Sequence, residues 1–447
     1  MDTPICDFVA AYEQAHPLRL HMPGHKGKAR LGPESRDITE IAGADELYHA
    51  HGIIQRSEEN ASSLFGTQKT LYSTEGSSLC IRAMVYLALL WARKEGKAPL
   101  ILAGRNAHKT FLSACALLGA DVRWLYPEGK GSLISCEITA SGLEKALSTV
   151  GDTPAAVYIT SPDYLGNVAD VAALSQVCRR HGTLLLTDNA HGAYLRFLPK
   201  DGHPISLGAD LCCDSAHKTL PALTGGAYLH IGKNAPPACA ENAERALALF
   251  ASTSPSYLIL QSLDQCNAYL AGNYREKLQN LADRTEAMKR RLRRQGYDLV
   301  GSEPIKLTLA PKGYGYTGDA LHDLLRAQQM ECEFSDPDYL TAMLTPDLEA
   351  ADLDRLENAL LAIPRKRPLL APPPLPPHPE RAVSIREAML APARRLPVEE
   401  ALGRVLAEAQ VGCPPCIPII MSGERIDRET VACFRYYGIG ECSVMDE

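Results

Sequence analysis

A lysine and an aspartate near the middle of the chain have the types and spacing that pyridoxal phosphate (PLP) chemistry requires. Lys218 lies in the segment CDSAHKT (213–219), and Asp188 ends the apolar run LLLTD (184–188). A lysine amine can hold the PLP aldehyde as a Schiff base, and a carboxylate can keep the pyridine nitrogen protonated, so that the ring accepts electrons. The serine and the histidine of the lysine segment can donate hydrogen bonds to the phosphate.

Each half of this pattern also has an ordinary structural explanation. A lysine after a strand is usually a solvated surface residue, and an aspartate at a strand end is often a helix cap or a turn former. Both halves occur in one chain, in the order and at the strand ends that a PLP site needs. The pair therefore favours cofactor chemistry over two unrelated structural residues.

Composition and charge narrow the class of protein. The chain has 447 residues, of which 46% are hydrophobic and 22% are charged, as in globular enzymes of two or three domains. The net charge of −7 argues against a nucleic-acid-binding protein. Charged residues interrupt each apolar run before it reaches transmembrane length, and the N-terminal segment lacks the basic start of a signal peptide. We therefore expect a cytoplasmic protein that binds neither nucleic acid nor membrane.

The 14 cysteines are expected to be reduced and mostly buried, because the chain shows no export signal. Cys413 and Cys416 have the spacing of a redox or metal motif, but they lie in a proline-rich segment far from a βαβ pattern. We expect neither function there, and no metal site elsewhere. Cys212 and Cys213 fall in an apolar strand and are expected in the core.

Strands alternate with helices over the first 231 residues, which predicts an α/β fold with a mostly parallel sheet covered by helices on both faces. Such sheets bind ligands at the carboxyl ends of their strands, where Asp188 and Lys218 both fall. The predicted strands are 70–73, 100–103, 121–125, 155–160, 184–188, 210–215 and 226–231. The predicted helices are 57–65, 79–94, 108–118, 171–181 and 262–295.

The domain organisation is predicted from shifts in pattern. Residues 1–50 read as an irregular arm, 51–265 as a large PLP-binding domain, and 266–363 as a small α+β domain. Residues 364–379 hold eight prolines in sixteen positions and predict a stiff extended linker. Residues 380–447 would form a small C-terminal domain.

An ordered set of motifs resembles the Orn/Lys/Arg decarboxylase family, in its short bacterial arginine/lysine decarboxylase type. The resemblance implies the aspartate-aminotransferase-like fold, called PLP fold type I, for the large domain. Any single motif would mean little, but the ordered set is specific for the family. The matching segments are residues 21–27, 104–109, 160–166, 188–193, 215–218, 253–257, 414–418 and 423–426.

The resemblance implies catalytic roles for three residues. Lys218 would form the Schiff base and then act in proton transfer near the substrate carbon. Asp188 would form a salt bridge with the pyridinium nitrogen and raise that nitrogen's pKa. His108 would stack on the cofactor ring, although a histidine at a helix start is more often structural.

The resemblance also implies cofactor contacts. The phosphate would be held by Gly76, Ser77 and Ser78 at a helix N-terminus, and by Ser215 and His217. Ser161 would contact the phenolic oxygen of the ring. His191 would lie against the cofactor or the substrate carboxylate.

A second subunit is implied by one further segment. Thr253 and Ser254 resemble residues that reach the phosphate of the neighbouring subunit, which would make a homodimer or higher homo-oligomer with active sites at the interface. The alternative is that this segment merely caps a helix with Pro255 at its first position.

The substrate prediction follows from the same resemblance. We expect PLP-dependent decarboxylation of a basic L-amino acid, arginine or lysine rather than ornithine, in polyamine metabolism. The distal cation needs an acidic partner, for which Glu424 is the candidate and Asp45 and Glu46 are weaker ones. Two alternatives remain open. One is another PLP enzyme, an aminotransferase or lyase with an arginine for the substrate carboxylate in the small domain, and the other is a catalytically silent relative.

The chain departs from the family pattern at three positions. Asn189 stands where many relatives have an acid, and Cys413 and Cys416 replace a tyrosine and a glycine. The cofactor chemistry does not depend on these positions, but the choice of substrate could.

Overall fold

Buried strands and amphipathic helices alternate along much of the chain, in a computed structural model that describes residues 1–127, 132–408 and 416–446. The α-helices are α1 (Pro4–Gln14), α2 (Ile53–Phe65), α3 (Gly76–Lys94), α4 (Lys109–Leu118), α5 (Ala140–Thr149), α6 (Val171–Arg180), α7 (Ala216–Thr219), α8 (Pro237–Glu241), α9 (Ala243–Ala248), α10 (Tyr257–Ala271), α11 (Tyr274–Gln295), α12 (Gly318–Arg326), α13 (Ala350–Ala362), α14 (Ile385–Leu390) and α15 (Arg428–Tyr436). The strands are β1 (Lys69–Ser73), β2 (Ala98–Gly104), β3 (Asp121–Leu125), β4 (Pro154–Thr160), β5 (Leu184–Asp188), β6 (Leu211–Asp214), β7 (Ala227–Ile231), β8 (Leu299–Val300), β9 (Lys306–Leu309), β10 (Phe334–Ser335), β11 (Leu340–Met343), β12 (Ala393–Pro397) and β13 (Glu441–Met445).

The main sheet has seven strands in the order β1-β7-β6-β5-β4-β2-β3. Strand β5 pairs with β6 in parallel, and β2 pairs with β3 in parallel, whereas β7 runs antiparallel to both β1 and β6. The predicted α/β class with a mostly parallel sheet is confirmed. Chain contacts divide the protein into two compact units, Met1–Ala98 with Asp152–Val157 and Val171–Lys277, and Pro99–Gly151 with Tyr158–Asp170 and Leu278–Glu447.

The central strands of the first unit are buried along their whole length. Every residue of β5, β6 and β7 is buried. A strand covered on both faces has no solvent-facing side, so its sequence is continuously apolar rather than alternating. Cys212 and Cys213 lie in β6 and are fully buried, which confirms their predicted place in the core.

The second unit carries two smaller antiparallel sheets. One has the order β10-β11-β9-β8, and the other pairs β12 with β13. The two-stranded sheet packs around a core that includes Leu406, Ile420, Phe434 and Val444. The domain boundaries predicted from the sequence stay a prediction.

Two predicted elements were wrong. The single helix 262–295 is divided into α10 and α11, because Gly272 leaves the helical conformation with φ −83° and ψ −133°. The arm is not irregular throughout, since α1 forms within it. The backbone N–H groups of Ile5 and Cys6, in the first turn of α1, both donate to the Asp264 carboxylate at 3.0 Å. That partner lies more than 250 positions away, so the local pattern could not reveal it.

Candidate active site

Lys218 lies on the short helix α7, which follows β6 directly. Its Nζ is 3.0 Å from Nε2 of His191, a residue of the turn that follows β5. The backbone N–H of Lys218 donates to the Ser215 carbonyl at 3.0 Å, which fixes the lysine above the strand end. Two residues that the sequence assigned to one site are therefore brought together.

Asp188 ends β5 and is buried, and the strand register places it opposite Cys213 of β6. Its Oδ1 accepts the Ala190 N–H at 3.2 Å and lies 3.6 Å from the Cys213 thiol. Burial, with the Asp188 charge next in weight, raises the pKa of Cys213 well above its usual range, so the thiol keeps its proton and donates it. Cys213 is a contact of Asp188 that the sequence reasoning missed. The parallel register is the only signal that could have found it.

Two of the predicted phosphate donors, Ser77 and Ser215, meet at the start of α3. The helix begins at Gly76, whose φ of +71° is a left-handed conformation that glycine adopts without strain. Ser215 Oγ donates to Ser77 Oγ at 2.7 Å, so the two segments converge. Within the described chain no side chain caps this 19-residue helix, whose N-terminus carries the positive end of the helix dipole.

This donor set fits PLP. The amine of Lys218 suits the aldehyde, the Asp188 carboxylate suits the pyridine nitrogen, and the start of α3 with its serine hydroxyls suits a dianionic phosphate. A Cβ added at Gly76 would meet, apart from its chain neighbours and the backbone of its own helix, no described atom within 4 Å, so open space lies beside the helix start. The imidazole of His217 contacts the Gly226 carbonyl through Nδ1 at 3.0 Å, and its phosphate contact stays a prediction.

His108 and Ser161 belong to the second unit. His108 is the N-cap of α4, where its Nδ1 accepts the Thr110 N–H at 3.2 Å. The structural role that a histidine at a helix start often has is therefore present, and its stacking on the cofactor stays a prediction. Ser161 is buried, and its Oγ accepts the Ala169 N–H at 3.0 Å.

Thr253 and Ser254 are exposed in the loop before α10. The cap of α10 is Ser256, whose Oγ accepts the Ile259 N–H, so the alternative in which this segment caps a helix beginning at Pro255 is wrong. The neighbouring Ser252 N–H donates to Glu75 of the same chain at 2.7 Å. The contact of this loop with a neighbouring subunit stays a prediction.

Glu424 is buried and bonded on both oxygens by one guanidinium. Arg105 Nη1 and Nη2 donate to Oε1 and Oε2 at 2.8 and 2.6 Å, and Oε2 also accepts the Met421 N–H at 2.7 Å. The guanidinium carbon lies 5.4 Å from the centre of the Trp124 ring and 5.6 Å from that of Tyr126, within cation–π range. The carboxylate is therefore committed within its own chain, and its role toward substrate stays a prediction.

Glu424→Gln is expected to lower the free energy of unfolding by about 3–5 kcal/mol, because it leaves the buried Arg105 charge without compensation. Replacing both residues, Arg105→Met with Glu424→Met, removes both charges and should cost less than the single change. Urea unfolding of the wild type, the single variant and the double variant measures the difference. An unchanged unfolding midpoint in Glu424→Gln, together with a raised KM, would contradict this structural role and support substrate binding.

The weaker acidic candidates lie in the arm. The backbone N–H groups that donate to the Asp45 carboxylate are those of Glu46, His51, Gly52, Ile54 and Gln55. Burial alone would raise the pKa of Asp45, but these N–H groups more than offset it and lower the pKa. Asp45 thus organises the start of α2. Glu46 is exposed, and its carboxylate lies 3.2 Å from His49.

Of the two cysteines Cys413 and Cys416, the structure describes only Cys416. Cys416 is buried, has a φ of +57°, and its carbonyl accepts the Lys109 N–H at 3.1 Å. Cys413 lies outside the described residues.

Comparison with known proteins identifies one family along the chain. The model described as Orn/Lys/Arg decarboxylase, major domain, matches residues 3–312, and the corresponding C-terminal domain matches residues 377–442. The arginine decarboxylase of Halalkalibacterium halodurans is 31% identical over 97% of this chain and 93% of its own length. The arginine decarboxylase of Bacillus subtilis is 30% identical over 96% of this chain and 92% of its own length.

A solved structure supports the fold. The lysine decarboxylase of Francisella novicida superposes with a TM-score of 0.79 over 99% of this chain and 81% of its own, at 18% sequence identity. At that identity the likeness shows the fold, and it confirms the predicted fold class.

Proposed function

The chain belongs to the Orn/Lys/Arg decarboxylase family, and we propose that it converts L-arginine to agmatine and carbon dioxide. Family membership makes it a PLP-dependent decarboxylase of a basic amino acid. The observation that carries the proposal is the contact of Lys218 with His191 beside Asp188, at the ends of two neighbouring parallel strands. Arginine is favoured because the Halalkalibacterium halodurans and Bacillus subtilis relatives, which match nearly the whole chain, are named arginine decarboxylase.

PLP, when bound, supplies a conjugated ring that accepts the electron pair released from the bond between Cα and the carboxylate. With PLP bound, the buried carboxylate of Asp188 would hold a proton on the pyridine nitrogen, where low dielectric strengthens the interaction. The amine of Lys218 would deliver a proton to the substrate carbon. His191, 3.0 Å from that amine, orients it.

The distal end of the substrate needs an acidic partner, and Glu424 remains our candidate. Arg105 already bonds it through two parallel N–H groups, the geometry that a guanidinium and a carboxylate prefer. A substrate cation could bind Glu424 only if Arg105 gave up at least one of these bonds, so the choice of arginine does not rest on this residue.

The setting of the enzyme is also part of the proposal. We propose a homodimer or higher homo-oligomer with active sites at the interface, since Thr253 and Ser254, which resemble residues that reach a neighbouring subunit, are exposed. We propose a cytoplasmic location and a role in polyamine metabolism. Of the helices that the structure describes, none combines the length and apolarity needed to cross a membrane.

The test is carbon dioxide release from the PLP-loaded enzyme, offered L-arginine, L-lysine and L-ornithine separately, with the amine product identified by mass. We expect release from arginine with formation of agmatine, at a kcat/KM at least about tenfold above that for lysine, because the two cations differ in how they bond a carboxylate. Preferential release from lysine or ornithine would overturn the choice of substrate. No release from any of the three, with PLP bound, would overturn the proposed reaction.

A further inference from the structure

A buried polar cluster lies directly behind the lysine segment. Asp214, the last residue of β6, is fully buried, and so are His203 and His230. Asp214 Oδ2 is 3.0 Å from His203 Nε2 and 3.1 Å from His230 Nε2. Its Oδ1 accepts the Asn189 side-chain N–H at 2.6 Å. One carboxylate therefore joins four segments of the chain.

Hydrogen bonds to the two histidines stabilise the charge of this carboxylate. Nδ1 of His203 accepts the Ile205 N–H at 3.3 Å, so the proton of a neutral imidazole sits on Nε2 and is donated to Asp214. Burial alone would raise the pKa of Asp214, but the two imidazoles more than offset it and hold the pKa well below its usual range. The carboxylate is accordingly ionised.

Asn189 connects this charge to the catalytic residues. It follows Asp188 directly, and its backbone N–H donates to the Cys213 carbonyl at 3.0 Å. Its own carbonyl accepts the Gly192 N–H at 2.8 Å, which closes the turn that carries His191. Its Oδ1 is buried and accepts no hydrogen bond within the described ranges, so the donation to Asp214 is the polar contact that its side chain makes there.

We infer that Asp214 is a positioning residue for the reaction: through Asn189 it fixes the turn that carries Asp188 and His191 against Lys218. The inference rests on the proposed function, because it assigns those residues to the PLP site. Asp214 acts through its neighbours and touches neither cofactor nor substrate.

The test compares Asp214→Asn and Asn189→Ala with Asp210→Asn. Asp210 precedes the other end of β6 and accepts the Leu185 N–H at 2.8 Å, so its variant removes a carboxylate far from the turn. In Asp214→Asn and Asn189→Ala we expect kcat to fall about 10- to 100-fold with little change in KM, because displacing catalytic side chains by about 1 Å has that effect. We expect Asp210→Asn to lower the melting temperature only.

A readout without substrate separates this inference from the proposed reaction. The absorbance of the Lys218–cofactor linkage changes with pH, and the midpoint of that change should rise by about one pH unit in Asp214→Asn and in Asn189→Ala. In these variants the ring proton is held less well, so it lowers the pKa of the linkage less. The exchange Asn189→Asp with Asp214→Asn, which restores one carboxylate facing one amide, should bring it back toward wild type. Midpoints and kcat values equal to those of Asp210→Asn would overturn the inference, whatever the substrate. Should Asp214→Asn fail to fold, Asn189→Ala decides alone.

Discussion

Lys218→Ala is expected to abolish carbon dioxide release, with a loss of at least about 10⁴-fold in kcat, because we propose that this one side chain both holds the cofactor and moves the proton. The variant should lack the absorbance of the covalent linkage and should retain no PLP after borohydride reduction. Exposed Lys200, in the same unit, provides the matched control. Lys200→Ala should keep both the absorbance and the turnover.

The result that would contradict this assignment is specific. If Lys218→Ala still holds PLP that borohydride fixes to the protein, another lysine forms the linkage. Mass analysis of the labelled peptide would then name that lysine. Loss of turnover alone would not decide the question, since a misfolded variant also loses it, so the reduction experiment is the decisive measurement.

Asp188→Asn is expected to keep the fold and lose about 10³-fold in kcat, a decrease of several kcal/mol in transition-state stabilisation. The amide oxygen can still accept from Ala190 and Cys213, so these two hydrogen bonds survive while the charge proposed to hold the ring proton is removed. Single-turnover kinetics with the PLP-loaded variant measures the chemical step. A matched melting temperature would exclude a structural cause.

Turnover within tenfold of wild type would mean that Asp188 does not hold the ring proton. In that case the PLP spectrum of the variant should also match that of wild type. Asp188→Glu provides a second check, because it keeps the charge but displaces it by one methylene, and it should retain more turnover than the amide.

The sheet and the central part of the site could be predicted from the sequence because both depend on local pattern. Strands β5 and β6 are short buried runs that end in an acid, and their observed bounds differ from the prediction by at most one residue. Parallel strands place their carboxyl ends on one edge, so the segments that follow β5 and β6 come close, and Lys218 contacts His191 there. Local pattern also indicated a helix start at Ser77 and Ser78.

What the sequence could not show depends on distant partners. Asp264 caps α1 from more than 250 positions away, and the periodicity of apolar residues along a helix or strand does not reveal such contacts. The buried cluster around Asp214 includes His203 and His230, which come from two other segments of the chain. Asn189, which departs from the family pattern, has a structural explanation only once Asp214 is seen beside it. An acid at position 189 would face that carboxylate at hydrogen-bond distance and be repelled.

The buried pair of Arg105 and Glu424 joins positions 319 residues apart. On a ribosome that adds about 5–20 residues per second, Arg105 is synthesised roughly 16–64 s before its partner. An unpaired guanidinium is costly to bury, so the end of β2 has to stay hydrated during that interval. The early strands of the nascent chain can therefore form first, whereas water is excluded from the region around Arg105 only after the C-terminal segment with Glu424 has been synthesised.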